Sequence, residues 1–150
     1  MSLLYTLIST SVKSIFQMSH AKSIDIAELK GIIQSQASSP SSKVVIVDVR
    51  SADEFNDGHV PNAFNIPIGN FETALKQILA QQSSDAGTDS PVSGVLPSKF
   101  PKPNDPSSCL LLYCKSGGRT RMAQGVAENL GYQNNLMVYY PGWNEFGSNL

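Results

Sequence analysis

The stretch Tyr113-Cys114-Lys115-Ser116-Gly117-Gly118-Arg119-Thr120 sets a cysteine at the head of a loop of small, polar and basic residues. The chain has only three arginines, and two of them, Arg119 and Arg121, lie within seven positions of Cys114. These residue types suit a thiolate nucleophile. A free thiol with a pKa near 8.5 is only a few per cent ionised at pH 7, and lowering that pKa by about two units requires roughly 2.7 kcal/mol of preference for the charged form. Backbone N–H groups turned inward around Ser116, Gly117 and Gly118 would form an anion-binding nest, with both glycines tolerating the positive φ such a turn needs. A following helix N-terminus adds partial positive charge, and Lys115 and Arg119 add full charges. The competing reading is a buried strand-end cysteine beside an ordinary glycine-rich turn. Strand, loop, two glycines, two cations and helix in that order favour the nucleophile. Cys109 opens an apolar strand with no cation beside it, so packing is its better role. Five extended residues separate the two cysteines by about 16 Å, whereas a disulfide needs Cα atoms within about 7 Å.

Such a loop must be held by a scaffold. Asp25 and Glu28 read as a capping box for an amphipathic helix carrying Ile26, Leu29, Ile32 and Ile33 on one face. The β-branched run Lys43–Val49 predicts a strand covered on both faces, as in a parallel sheet. Ser51 and Glu54 suggest a second capping box, for a short helix ending near Gly58. A brief strand should stop at Pro67, and residues 71–80 place Phe71, Leu75, Ile78 and Leu79 on a helix face. Residues 82–108, rich in Ser, Pro, Gly and Asp, read as a long irregular loop with mobile parts, an insertion or an active-site lid. Cys109–Tyr113 is the next buried strand. The helix after it has Met122, Val126 and Leu130 in one row and Gly131 as its cap. Residues 136–140 form a last strand, and Pro141–Phe146 a closing turn and short helix. This alternation predicts an α/β fold with helices on both faces of a parallel sheet. Cys114 would lie at the carboxyl edge of that sheet, where ligands of open α/β folds bind.

Bulk properties narrow the function. A chain of 150 residues with 41% hydrophobic residues fits one compact domain. A net charge of −1 argues against a nucleic-acid binder. No apolar run approaches the roughly 18 residues of a membrane span. Two cysteines are too few for a disulfide scaffold or a structural zinc site, which points to a reducing compartment. Residues 1–21 read as a leader: Lys13 precedes any acid, Ser and Thr are frequent, and Leu4, Ile8, Val12, Ile15 and Phe16 recur at helical spacing. This suits a mitochondrial presequence, with a peripheral N-terminal helix as the alternative. The expected location is mitochondrial, or cytoplasmic if the leader is not used.

The loop, together with the Val44–Pro67 stretch VVIVDVRSADEFNDGHVPNAFNIP and the terminal Tyr140-Pro141-Gly142-Trp143, resembles the rhodanese-like domain family over residues 22–150. Residues 100–119, FPKPNDPSSCLLLYCKSGGR, resemble in particular the small single-domain thiosulfate sulfurtransferases. The resemblance implies a central, mostly parallel sheet flanked by helices on both faces. It also implies a double displacement in which Cys114 takes the outer sulfur of thiosulfate as a persulfide and passes it to cyanide, a thiol or a protein acceptor. Lys115, Ser116, Gly117, Gly118 and Arg119 would then hold the persulfide, with Lys115 and Arg119 steering the anionic donor. Arg119 has a competing role, tying the loop to a neighbouring carboxylate. Asp48 and Arg50 would brace the strand ends with a salt bridge. His59 invites a cysteine–histidine dyad, yet its Gly-His-Val-Pro turn suits a structural hydrogen bond better. Trp143 would close the core. No metal or organic cofactor, nucleic acid or membrane is implied.

A persulfide carrier loaded by a protein partner is the alternative from another class. Phosphatases and arsenate reductases related by fold place five residues between cysteine and arginine. Only four separate Cys114 from Arg119, a smaller ring that suits sulfur better than phosphate. Two departures from the family pattern stand out. Residues 81–99 are polar and irregular, and the Pro-Gly-Trp-Asn-Glu-Phe ending is one residue tighter.

Overall fold

The structure is a computed structural model that describes residues 21–39, 43–82 and 99–150; the leader reading and most of the 82–108 loop lie outside these residues. Five strands form one sheet: β1 (Lys22–Ser23), β2 (Val44–Asp48), β3 (Phe64–Asn65), β4 (Cys109–Tyr113) and β5 (Leu136–Tyr139). Their order is β1-β5-β4-β2-β3, and every pairing is parallel. The helices are α1 (Ile26–Ser38), α2 (Ala52–Asp57), α3 (Ile68–Gln82), α4 (Gly118–Asn129) and α5 (Gly142–Ser148).

Apolar side chains on both faces of β2 and β4 explain why these strands lie at the centre of the sheet. Side chains alternate between the two faces of a strand. Leu110, Leu112 and Cys114 therefore join one core with Val47, Phe71, Leu75, Ile78, Ala123 and Ala127, under α3 and α4. Leu111 and Tyr113 join the other with Leu29, Ile46, Tyr139 and Phe146, under α1 and α5. Cys114 thus faces α4 for the same reason that Leu112 does.

Local chemistry sets the helix starts. Asp25 caps α1 by accepting from the Glu28 N–H at 2.8 Å. Ser51 and Glu54 form a reciprocal capping box on α2. The face of α4 differs from the one read in the sequence: Thr120, Ala123, Gln124 and Ala127 are buried, and Met122 is 63% exposed. The helix starts at Gly118, and its small residues, not its largest, turn to the sheet. Residues 99–108 are tied down. Phe100 is buried, the Tyr132 hydroxyl donates to the Pro101 carbonyl, and Asn135 Nδ2 donates to the Lys102 carbonyl at 2.8 Å. Among the described residues no helix is long and apolar enough to cross a membrane.

Candidate active site

Cys114 follows the last residue of β4 and is 1% exposed. The chain then turns through Gly117, whose φ of +106° is left-handed and whose amide donates to Cys114 Sγ at 3.1 Å. A Cβ on Gly117 would sit 3.0 Å from the Tyr140 carbonyl oxygen. Both its conformation and its surroundings therefore require glycine. Gly118 is different. Its φ is not positive and a Cβ would meet nothing, because it is already the first residue of α4. One glycine makes the nest; the other begins the helix.

Burial alone would raise the Cys114 pKa, and hydrogen bonds overcome it. The Thr120 hydroxyl and amide, with the Gly117 and Ser116 amides, favour the thiolate and hold the pKa below the ordinary 9.0. The Thr120 hydroxyl is fully buried, and among the described residues it makes no other hydrogen bond that would compete for its proton. Cys109 shows the contrast. Without such donors, burial pushes its thiol up to about 11.

The loop is gripped from two sides. Arg119 makes a two-pronged ion pair with Glu54, at 2.7 Å and 3.0 Å, joining α4 to the start of α2. That pair, aided by Ser51, holds the Glu54 carboxyl down at about 2. The Arg119 charge is thus engaged first by Glu54, while hydrogen bonds lead the stabilisation of the thiolate. On the other side the N-terminus of α5 takes the loop carbonyls. Trp143 N–H donates to Cys114 O at 2.8 Å and Asn144 N–H to Lys115 O at 3.1 Å. A Cβ on Gly142 would lie 2.4 Å from Cys114 O and 2.6 Å from Lys115 O, so the Tyr-Pro-Gly-Trp segment is a clamp that only glycine can close. Lys115 and Ser116 project into solvent at the rim.

Behind the loop, the Arg50 guanidinium pairs with buried Asp48 at 2.6 Å and donates to the Gly58 carbonyl at 2.7 Å. It also lies 5.2 Å from the centroid of the Trp143 ring. Tyr113 accepts from the Val60 amide at 3.0 Å, and burial, then the negative charge of Asp48, raise its pKa far above the ordinary value. This cluster braces the ends of β2 and β4. His59 donates from Nδ1 to the Phe55 carbonyl at 2.8 Å and stacks on the Phe55 ring, the structural hydrogen bond its turn suggested.

The chain belongs to the rhodanese-like domain family, whose model matches residues 26–149. Among named relatives, a putative mitochondrial thiosulfate sulfurtransferase of Schizosaccharomyces pombe is 25% identical over 92% of this chain and 88% of its own length. A thiosulfate:glutathione sulfurtransferase of Saccharomyces cerevisiae is 30% identical over 83% of this chain and 76% of its own. The structure of a human single-domain sulfurtransferase, TSTD1, superposes with a TM-score of 0.62 at 25% identity, covering 87% of this chain and 98% of that one.

Sequence reasoning placed Cys114, Lys115, Ser116, Gly117, Gly118 and Arg119 on one loop and Asp48 and Arg50 behind it. It missed Thr120, Glu54 as the partner of Arg119, and the reason for Gly142. A threonine directly after an arginine carries no local signal, and Glu54 is already accounted for by its capping box.

Proposed function

We propose that this rhodanese-like protein is a sulfurtransferase that moves the outer sulfur of thiosulfate to a thiophilic acceptor through a Cys114 persulfide. The Cys114 thiolate attacks the outer sulfur, the sulfur–sulfur bond of thiosulfate breaks, and sulfite leaves with the electron pair. The persulfide anion then lies against the Ser116, Gly117 and Thr120 amides, which are already aimed at sulfur and need no reorganisation. An acceptor thiol or cyanide attacks the terminal sulfur, and Cys114 leaves as a thiolate. One observation carries this reading: a buried thiol with a depressed pKa sits in an amide nest at the carboxyl edge of the sheet.

In this scheme Lys115 and the loop amides receive the anionic donor, and Arg119 holds the loop's shape through Glu54. Asp48 and Arg50 support the strand ends. The yeast relative's name supports glutathione as an acceptor. The presequence-like residues 1–21 and the fission-yeast relative's name support import into mitochondria. Imaging a C-terminal fluorescent fusion checks this, and purely cytosolic signal would contradict it.

The test of function is steady-state thiocyanate production from thiosulfate and cyanide. Parallel double-reciprocal lines and loss of turnover in C114S are expected. Intersecting lines, or activity retained by C114S, would rule out the covalent route.

A further inference from the structure

Two of the three arginines have carboxylate partners: Arg50 pairs with Asp48, and Arg119 with Glu54. Arg121 does not. It is exposed, and among the described residues no carboxylate pairs with it. It is nonetheless positioned, because its guanidinium lies 4.2 Å from the centroid of the Tyr140 ring. The Tyr140 hydroxyl is itself anchored on Gln124 of the same helix.

Tyr140 is the neighbour of Cys114 across the sheet. β4 and β5 pair in parallel register up to Tyr113 and Tyr139, so the next residues, Cys114 and Tyr140, lie side by side about one strand spacing of ~4.8 Å apart. Both turn to the same face, since both pack with the core under α3 and α4. The Tyr140 carbonyl oxygen also lies 3.0 Å from where a side chain on Gly117, the residue whose amide holds the sulfur, would begin. Arg121 is tied to that residue too, its own amide donating to the Gly117 carbonyl at 3.0 Å. A planar, permanently charged donor is thus held on the ring of the residue next to the nucleophile across the sheet, and among the described residues no side-chain hydrogen bond or ion pair engages its donor edge.

We propose that Arg121, held on the Tyr140 ring, docks the oxyanion end of the reactants, taking the sulfonate of the sulfur donor or a carboxylate of the acceptor thiol. The inference rests on the sulfurtransferase reading. In the first half-reaction the sulfonate oxygens point away from the attacked sulfur, toward the rim, and leave as sulfite. In the second, an acceptor thiol bonds to the outer sulfur and departs as a persulfide, while the electron pair of the broken bond returns to Cys114. A carboxylate a few bonds from the acceptor thiol would then meet the same guanidinium.

The test measures the two half-reactions separately on the full chain, for wild type, R121Q, R121K, Y140F and Y140L. Loading uses thiosulfate; unloading compares mercaptosuccinate, which carries two carboxylates, with uncharged 2-mercaptoethanol. In R121Q, KM for loading should rise, or the preference for mercaptosuccinate over 2-mercaptoethanol should fall, by about tenfold, as expected for loss of a charge-assisted hydrogen bond. R121K should recover part of the effect, and Y140F should retain more of it than Y140L, which removes the ring. A change confined to loading identifies the sulfonate as the docked group, and one confined to mercaptosuccinate identifies the carboxylate. The proposal is overturned if R121Q matches wild type in both arms, or if it slows both thiols equally and lowers kcat without raising KM. A wild type that takes up no sulfur overturns the sulfurtransferase reading and this one together.

Discussion

Cys114 and Cys109 sit at opposite ends of one strand and differ in what surrounds the sulfur. Burial opposes ionisation at both, and only Cys114 has Thr120, Gly117 and Ser116 donors to reverse it. Near neutral pH a thiol reagent should therefore modify Cys114 far faster than Cys109, which mass mapping of the labelled peptides will show; faster labelling of Cys109 would contradict the nest. Because the folded pKa of Cys114 lies below the ordinary 9.0, its thiolate contributes stability above that value, and the contribution is lost as pH falls through the folded pKa. Sulfur loading should follow the same curve, rising with pH through the depressed pKa. T120V, which keeps the shape and removes the hydroxyl, should move that rise to higher pH, and T120S should move it less. Ultraviolet absorbance of the thiolate during a pH titration measures both variants. Thr120 was not legible in the sequence because its role depends on the first turn of α4 folding its hydroxyl back toward Cys114.

At the scale of elements, the loop is a short span held between α2, α5 and the strand ends. G142A should be severe. The added methyl would overlap two loop carbonyls at a φ of +67°, so a loss of about 3 kcal/mol or more is expected in denaturant unfolding. A wild-type midpoint in G142A would mean that α5 does not clamp the loop. R50A leaves Asp48 charged in a dry site and should cost about 3–5 kcal/mol, the usual cost of breaking a buried pair. The Glu54 pair responds to acid instead. With Glu54 at about 2 when folded, its stabilising contribution is present above the ordinary 4.5 and is lost as pH falls from there through about 2. E54Q should remove that acid-sensitive step from the stability profile. An unchanged profile would show that Arg119 does not tie the loop to α2. The salt bridge between Asp48 and Arg50 was expected from the family resemblance, in which both residues match the motif that closes the strand. The Glu54–Arg119 pair, 65 residues apart, was not.

For the whole molecule, the alternation of strands and helices was plain in the sequence because β2, β4 and β5 are continuous apolar runs and the helices carry caps or periodic faces. What escaped had no such pattern. β1 is two residues, Lys22 and Ser23, and exists because their backbone completes the edge of β5. The anchoring of residues 99–108 depends on Tyr132 and Asn135, about thirty residues downstream, so composition alone made the segment read as mobile. The molecule's net charge of −1 repels a dianionic donor weakly, so approach depends on the few cations at the rim. Thiosulfate loading should accordingly slow as salt rises and the Debye length shrinks from about 30 Å at 0.01 M to about 10 Å at 0.1 M. Stopped-flow loading across that range checks this, and a flat response would place the rim cations outside the donor's path.

The most direct measurement is the intact mass of the reduced protein after brief exposure to thiosulfate, with C114S beside it, followed by cyanide. The wild type should gain the mass of one sulfur atom and return to its starting mass when cyanide is added, while C114S stays unchanged throughout. A folded wild type that gains no sulfur, or a C114S protein that gains it equally, would contradict the assignment of Cys114 as the sulfur carrier.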